Sequence, residues 1–108
     1  MRMAIGAALV LGLVCPAFAG QLYGTIYFEN RPLTGAPVTL SCGGETGNGT
    51  TDGEGVYRVF VRATGGCMLV VDPGGRRATA SVYSYDRPTA YDFDMVFRDG
   101  RWQLSLRK

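Results

Sequence analysis

The chain alternates between apolar and polar positions over short runs. From Leu22 to Phe28, Leu22, Ile26 and Phe28 fall on one side, with Tyr23 and Tyr27 opposite. That two-residue period predicts a half-buried strand. The pattern returns in Ala36 to Cys42, with Val38, Leu40 and Cys42 facing the same way. It returns again in Val56 to Arg62 through Tyr57, Val59 and Val61, and in Cys67 to Val71 through Cys67, Leu69 and Val71. Ala78 to Tyr83 predicts a shorter strand. Tyr91 to Phe97 alternates most clearly, with Tyr91, Phe93, Met95 and Phe97 inward and Asp92 and Asp94 outward. Trp102 to Leu106 follows. Gly43 to Thr50 is glycine-rich and reads as a weak edge.

Turn residues punctuate these runs. Glu29 to Gly35 is a polar connection marked by Pro32 and Gly35, and Asp72-Pro73-Gly74-Gly75 and Asp86-Arg87-Pro88 break the chain later. Asp99-Gly100 is a two-residue hairpin signal. In Thr51-Asp52-Gly53-Glu54-Gly55, Gly53 and Gly55 are expected at positive φ, and Asp52 is expected to bond the backbone of the bend. Tyr57 then enters the core with its hydroxyl at the rim. Strands recur at a spacing of roughly ten residues, and no 3.6-residue period is sustained after Val14. The expected fold is all-β: an antiparallel Greek-key β-sandwich of seven strands or so, laid out as in immunoglobulin domains.

The first residues differ. Arg2, the apolar run Ala4 to Val14 and the small-x-small triplet Ala17-Phe18-Ala19 read as a secretory signal peptide, residues 1–19, cleaved after Ala19. The run is too short to span a bilayer comfortably. Cys15 would suggest a lipid anchor, but Val14 stands where a small residue is expected, so Cys15 is read as discarded with the leader. Residues 20–108 then form a single domain, periplasmic or secreted, with no stable membrane insertion. Two cysteines remain, Cys42 and Cys67, and export with an even count favours a disulfide. Closing a loop of that length contributes about 3.5 kcal/mol on the chain-entropy account. A redox pair would need closer spacing and a helix start.

Composition excludes several chemistries. The 108 residues include no histidine, so neither a His-based triad nor a His-ligated zinc site can form. With Arg2 removed, ten basic residues face nine acidic ones, and a nucleic-acid partner is not expected. No cofactor or metal is expected either. Asp52 and Glu54 are too few to hold calcium and suit turn chemistry better. Asp92 and Asp94 read as solvated outward charges that also guard a strand edge. Gly74-Gly75-Arg76-Arg77 could grip an anion through glycine N–H groups and arginine forks; no following helix supports a nucleotide loop. Tyr23, Tyr27, Tyr83, Tyr85 and Trp102 could line a ligand face. The candidate ligand surface is therefore Tyr23, Tyr27, Tyr83, Tyr85, Arg76 and Arg77.

Four segments carry a resemblance: Gly24-Thr25-Ile26, Arg31-Pro32-Leu33-Thr34-Gly35-Ala36-Pro37-Val38-Thr39-Leu40, Thr51-Asp52-Gly53-Glu54-Gly55-Val56-Tyr57 and Cys67-Met68-Leu69-Val70-Val71. They resemble the carboxypeptidase regulatory-like family, whose fold is a transthyretin-like or prealbumin-like β-sandwich. Tyr83-Ser84-Tyr85-Asp86 and Tyr91-Asp92-Phe93 look like a small exported bacterial branch that also carries the cysteine pair. The resemblance implies a noncatalytic accessory module. Transthyretin-like folds also include a ureide hydrolase whose active residues include histidines, which this chain lacks, so no catalytic residue carries over. The expected function is a noncatalytic exported module of the cell envelope that contacts a protein or a polysaccharide. The alternatives are a structural subunit pairing by an edge strand, with Gly43 to Thr50 the candidate edge, and a small hydrolase.

Overall fold

The computed structural model describes residues 20–107. The expected leader and Cys15 lie outside the described residues. Among those described there is no helix, and ten strands form: β1 (Gln21–Phe28), β2 (Arg31–Pro32), β3 (Pro37–Cys42), β4 (Glu45–Thr50), β5 (Val56–Phe60), β6 (Gly65–Val71), β7 (Ala78–Ser84), β8 (Thr89–Ala90), β9 (Phe93–Arg98) and β10 (Arg101–Leu106). The order along the curled sheet is β2-β1-β9-β10-β7-β6-β3-β4, and β5 and β8 also pair with β1. Most pairings are antiparallel. β9 and β8 run parallel to β1, and β10 touches β7 through one parallel bridge, Gln103 to Thr79.

The inward residues expected from alternation form the core. Leu22, Ile26, Val38, Leu40, Tyr57, Val59, Val61, Leu69 and Val71 are buried together, with Phe93, Met95 and Leu104. Burying side chains of this size contributes about 1.5–3 kcal/mol each. Phe97 departs from the expectation: it lies at the end of the same inward-facing row but is 61% exposed. β1 pairs with β9 only as far as Met95 opposite Phe28, so Phe97 extends beyond the part of the sheet that β1 covers.

Cys42 and Cys67 are joined by a disulfide, with Cα atoms 4.4 Å apart. β3 and β6 pair antiparallel from Val38 opposite Val71 to Ser41 opposite Met68. The next pair in that register is Cys42 and Cys67. Their separation is that of a non-hydrogen-bonded antiparallel pair, where side chains approach most closely.

The glycine-rich segment forms a full strand. β4 pairs with β3 along its whole length, from Pro37 opposite Thr50 to Cys42 opposite Glu45. Its glycines permit a close approach on the other side: a Cβ on Gly47 would collide with the Phe60 carbonyl, and one on Gly49 would lie 2.7 Å from the Arg58 carbonyl. The Glu45 carboxylate completes the closure, accepting hydrogen bonds from the Arg62 and Ala63 amides at 2.8 and 3.0 Å. The strand expected to be a weak edge is where the curled sheet closes on β5.

β8 and β9 lie on one line along β1. Leu22 faces Thr89 and Ile26 faces Phe93, the same sequence offset. The line breaks only at Tyr91–Asp92. There the Asp92 carboxylate accepts the Thr25 amide at 2.8 Å, in the position of a missing ladder carbonyl. Asp92 is exposed, as expected for an outward charge, but this bond also gives it a structural role.

The two middle segments of the resemblance bond each other. Thr51 is buried, and its Oγ1 accepts the Ala36 amide at 2.9 Å. The Thr51 amide donates to the Ala36 carbonyl and the Gly35 amide to the Thr51 carbonyl, both at 2.9 Å. In the adjoining bend Asp52 Oδ1 accepts the Glu54 and Val56 amides at 2.9 and 3.0 Å. Those bonds, the Val56 amide first, hold the Asp52 carboxyl below its ordinary range. Gly55 takes positive φ as expected; Gly53 does not, because the Asp52 bonds close the bend without it.

Candidate binding groove

The six residues of the expected ligand surface fall on different parts of the molecule. Tyr83 and Tyr85 lie together, ring centroids 4.7 Å apart and planes tilted by 50°. The Tyr85 carbonyl accepts the Gly20 amide, which places both tyrosines at the end where β1 begins. Arg76 and Arg77 sit in the turn before β7, at its other end, a strand of seven residues or about 20 Å away. Tyr27 lies under the Arg107 guanidinium, 4.1 Å from its ring centroid. Tyr23 is on the outer side of β1 between Arg58 of β5 and Ala90 of β8. The Gly74–Arg77 turn is also less open to an anion than its composition suggests. The Gly75 amide already donates to Asp72 Oδ1 at 3.0 Å, and the Arg76 guanidinium lies over the Phe28 and Trp102 rings at 5.8 and 6.0 Å.

Those rings belong to a site that alternation alone did not single out. Phe28 meets Trp102 edge to face at 5.6 Å, and Phe97 meets Trp102 edge to face at 5.2 Å. Edge-to-face aromatic pairs contribute about 0.5–1.5 kcal/mol beyond their buried area. The elements impose this meeting. β1 ends at Phe28 in the turn Glu29–Asn30, both at positive φ. β9 runs on past it, and cross-strand pairing sets Phe97 directly opposite Trp102 on β10. The result is an open groove of about 540 Å³ with Phe28, Met95, Val96, Phe97 and Trp102 as its apolar lining and Glu29, Asp94 and Arg98 among its polar residues. Asp94 is paired with Arg107. The one local signal is the turn Arg98-Asp99-Gly100 directly after Phe97; that β1 stops short of Phe97 is not written in any local pattern.

Polar side chains inside the fold are occupied. Tyr57 is fully buried, and its hydroxyl donates to the Tyr91 carbonyl at 2.7 Å. The sequence placed that hydroxyl at the rim; the break in the β8–β9 line supplies a carbonyl for it inside. Burial first, then the Asp92 charge, pushes the Tyr57 phenol well above its ordinary range. Ser84 is buried and donates to the Ala63 carbonyl at 3.0 Å. Among the described residues no group of three or more Cys, Asp or Glu side chains is arranged to hold a metal ion.

Comparison with solved structures places the architecture. The Bacillus anthracis TIE protein superposes with a TM-score of 0.58 at 15% identity, over 81% of this chain and 17% of that one. The fold is transthyretin-like. The Klebsiella pneumoniae 5-hydroxyisourate hydrolase superposes with a TM-score of 0.55 at 20% identity, over 82% of this chain and 99% of that one. This transthyretin-like chain thus spans about a sixth of the length of the TIE protein. No family model and no curated protein matches the sequence. Among the described residues no helix is long and apolar enough to cross a membrane.

Proposed function

We propose that this protein is a noncatalytic, exported binding module of the cell envelope that works through contact with a protein or a polysaccharide. The observation that supports it most is the groove lined by Phe28, Phe97 and Trp102, in which Phe97 stays exposed at the end of an inward-facing row. Aromatic and arginine side chains, here Phe97, Trp102 and Arg98, are the residue types that dominate binding contacts. The disulfide supports an oxidising compartment outside the cytoplasm. A hydrolytic role like that named for the Klebsiella neighbour finds less support. The chain has no histidine, and the buried hydroxyls of Tyr57, Thr51 and Ser84 are each tied to backbone.

The test combines binding with turnover. Tagged protein is crosslinked in its native envelope and recovered, and purified protein is incubated separately with 5-hydroxyisourate. Recovery of one stoichiometric envelope protein, or of peptidoglycan fragments, with no turnover above the blank, is the expected result. Turnover that scales with protein concentration would overturn the noncatalytic reading.

A further inference from the structure

The groove contains an unpaired stretch of strand edge. Asp99 and Gly100, at φ 56° and 79°, form a two-residue turn flanked by the pair Arg98 and Arg101. In such a hairpin the flanking pair is hydrogen-bonded, and the pairs alternate from there. Arg98, Val96 and Asp94 therefore direct their N–H and C=O toward β10. Phe97, Met95 and Phe93 direct theirs the other way, toward β1. β1 has already turned away at Glu29, since its register with β9 stops at Met95 opposite Phe28. Phe97 thus presents one N–H and one C=O to the groove, with no strand among the described residues beside them.

The other strand boundaries differ: β4 closes against β5, β2 is two residues long and contains a proline, and β7 meets β10 through one bridge. Short edges, proline and covering segments are the usual defences against strand addition. Val96–Arg98 is short and carries the charge of Arg98, but no strand among the described residues pairs with its outer side.

The chemistry of the groove favours a polypeptide over a sugar. A saccharide ring needs a flat, free aromatic face. Trp102 has Arg76 over its ring and meets the edges of Phe28 and Phe97, and the Tyr83 and Tyr85 planes diverge. An unpaired backbone donor and acceptor beside apolar side-chain space is what an added strand matches. Charge narrows the partner further. Asp94 is neutralised by Arg107, so the charges left at the groove are Arg98 and Arg76 against Glu29.

We propose that β9 takes an extended segment of a partner polypeptide as an added strand along Val96–Arg98, with a large apolar side chain against Phe97 and Trp102 and an acidic neighbour toward Arg98. This rests on the binding-module reading and names its target class.

The test selects random nine-residue peptides displayed on phage against the oxidised protein. The enriched peptide is then synthesised and titrated against the fluorescence of Trp102, the one tryptophan. Expected are acidic, alternating sequences with saturable binding, slowed hydrogen exchange at the Phe97 amide, and a loss of tenfold or more, about 1.4 kcal/mol, when the central peptide amide is N-methylated. Phe97→Ala and Arg98→Glu should each weaken binding, with circular dichroism confirming that both variants fold. No enriched peptide, binding indifferent to N-methylation, or unchanged exchange at Phe97 would each overturn strand addition. Peptidoglycan fragments that shift Trp102 where peptides do not would overturn strand addition and keep the binding module. Turnover of 5-hydroxyisourate would remove the broader reading instead.

Discussion

The hydroxyl of Tyr57 donates to the carbonyl of Tyr91 at 2.7 Å, inside the fold and directly over Gly24. Both partners of that bond are held by backbone. Gly24 must be glycine there, because a Cβ would strike the Tyr91 carbonyl. Tyr57→Phe leaves that carbonyl without its donor and is expected to lower stability by about 1–3 kcal/mol, read from urea unfolding. Gly24→Ala should cost at least as much, through overpacking against backbone.

The same phenol predicts an alkaline dependence. The folded state keeps Tyr57 protonated above its ordinary range. The unfolded state gives up that proton near pH 10. The contribution is therefore complete below about pH 10 and declines as pH rises above it. Urea midpoints compared at neutral and alkaline pH should fall more steeply for the wild type than for Tyr57→Phe. Equal slopes would remove the assignment.

Thr51 and Asp52 separate two kinds of turn bond. Thr51→Ala strands the buried Ala36 amide and should lower stability by about 1–3 kcal/mol, while Thr51→Ser keeps the acceptor and recovers part of the loss. Asp52 is exposed, so its effect shows in titration. Its carboxyl should titrate below 3.8 by NMR. Because the folded value is depressed, its contribution is present above the unfolded value and disappears as pH falls through the folded one.

Much of this was legible in the sequence. Alternation shows which side of a strand is apolar, and Val38, Leu40, Val59, Leu69 and Val71 all went where it pointed. It does not show whether another layer covers that side, and Phe97 is the case where none does. The disulfide could be anticipated from export and an even cysteine count, and Cys42 ends one inward row where Cys67 begins another. The closure through Glu45 and Gly47 could not, since a glycine-rich run looks the same whether it is a loose edge or a strand pressed against backbone. The groove depends on β1 ending before β9 does, a difference of length across a parallel pair that no local pattern contains.

Reducing the Cys42–Cys67 bond should lower stability by about 3.5 kcal/mol, since the link closes a sequence separation of 25 residues. Urea midpoints with and without reductant measure it. Intact mass after alkylation under denaturing conditions should show no added alkyl group at either cysteine unless reductant is supplied first.

Glu45→Ala removes the acceptor of the Arg62 and Ala63 amides and should loosen the seam between β4 and β5, at about 1–3 kcal/mol. Hydrogen exchange at those two amides should rise well before exchange at Leu69 or Leu40.

β1 and β9 run the same way, from Gly20 toward Phe28 and from Phe93 toward Arg98. The molecule therefore has a polarity. The first described residue, Gly20, lies at one pole, and the Asp99–Gly100 tip with Phe97 beside it lies toward the other, about 26 Å along the eight residues of β1. A tether placed at Gly20, on a bead or in a fusion, would hold that tip outward, so display experiments on this fold are best anchored from that pole.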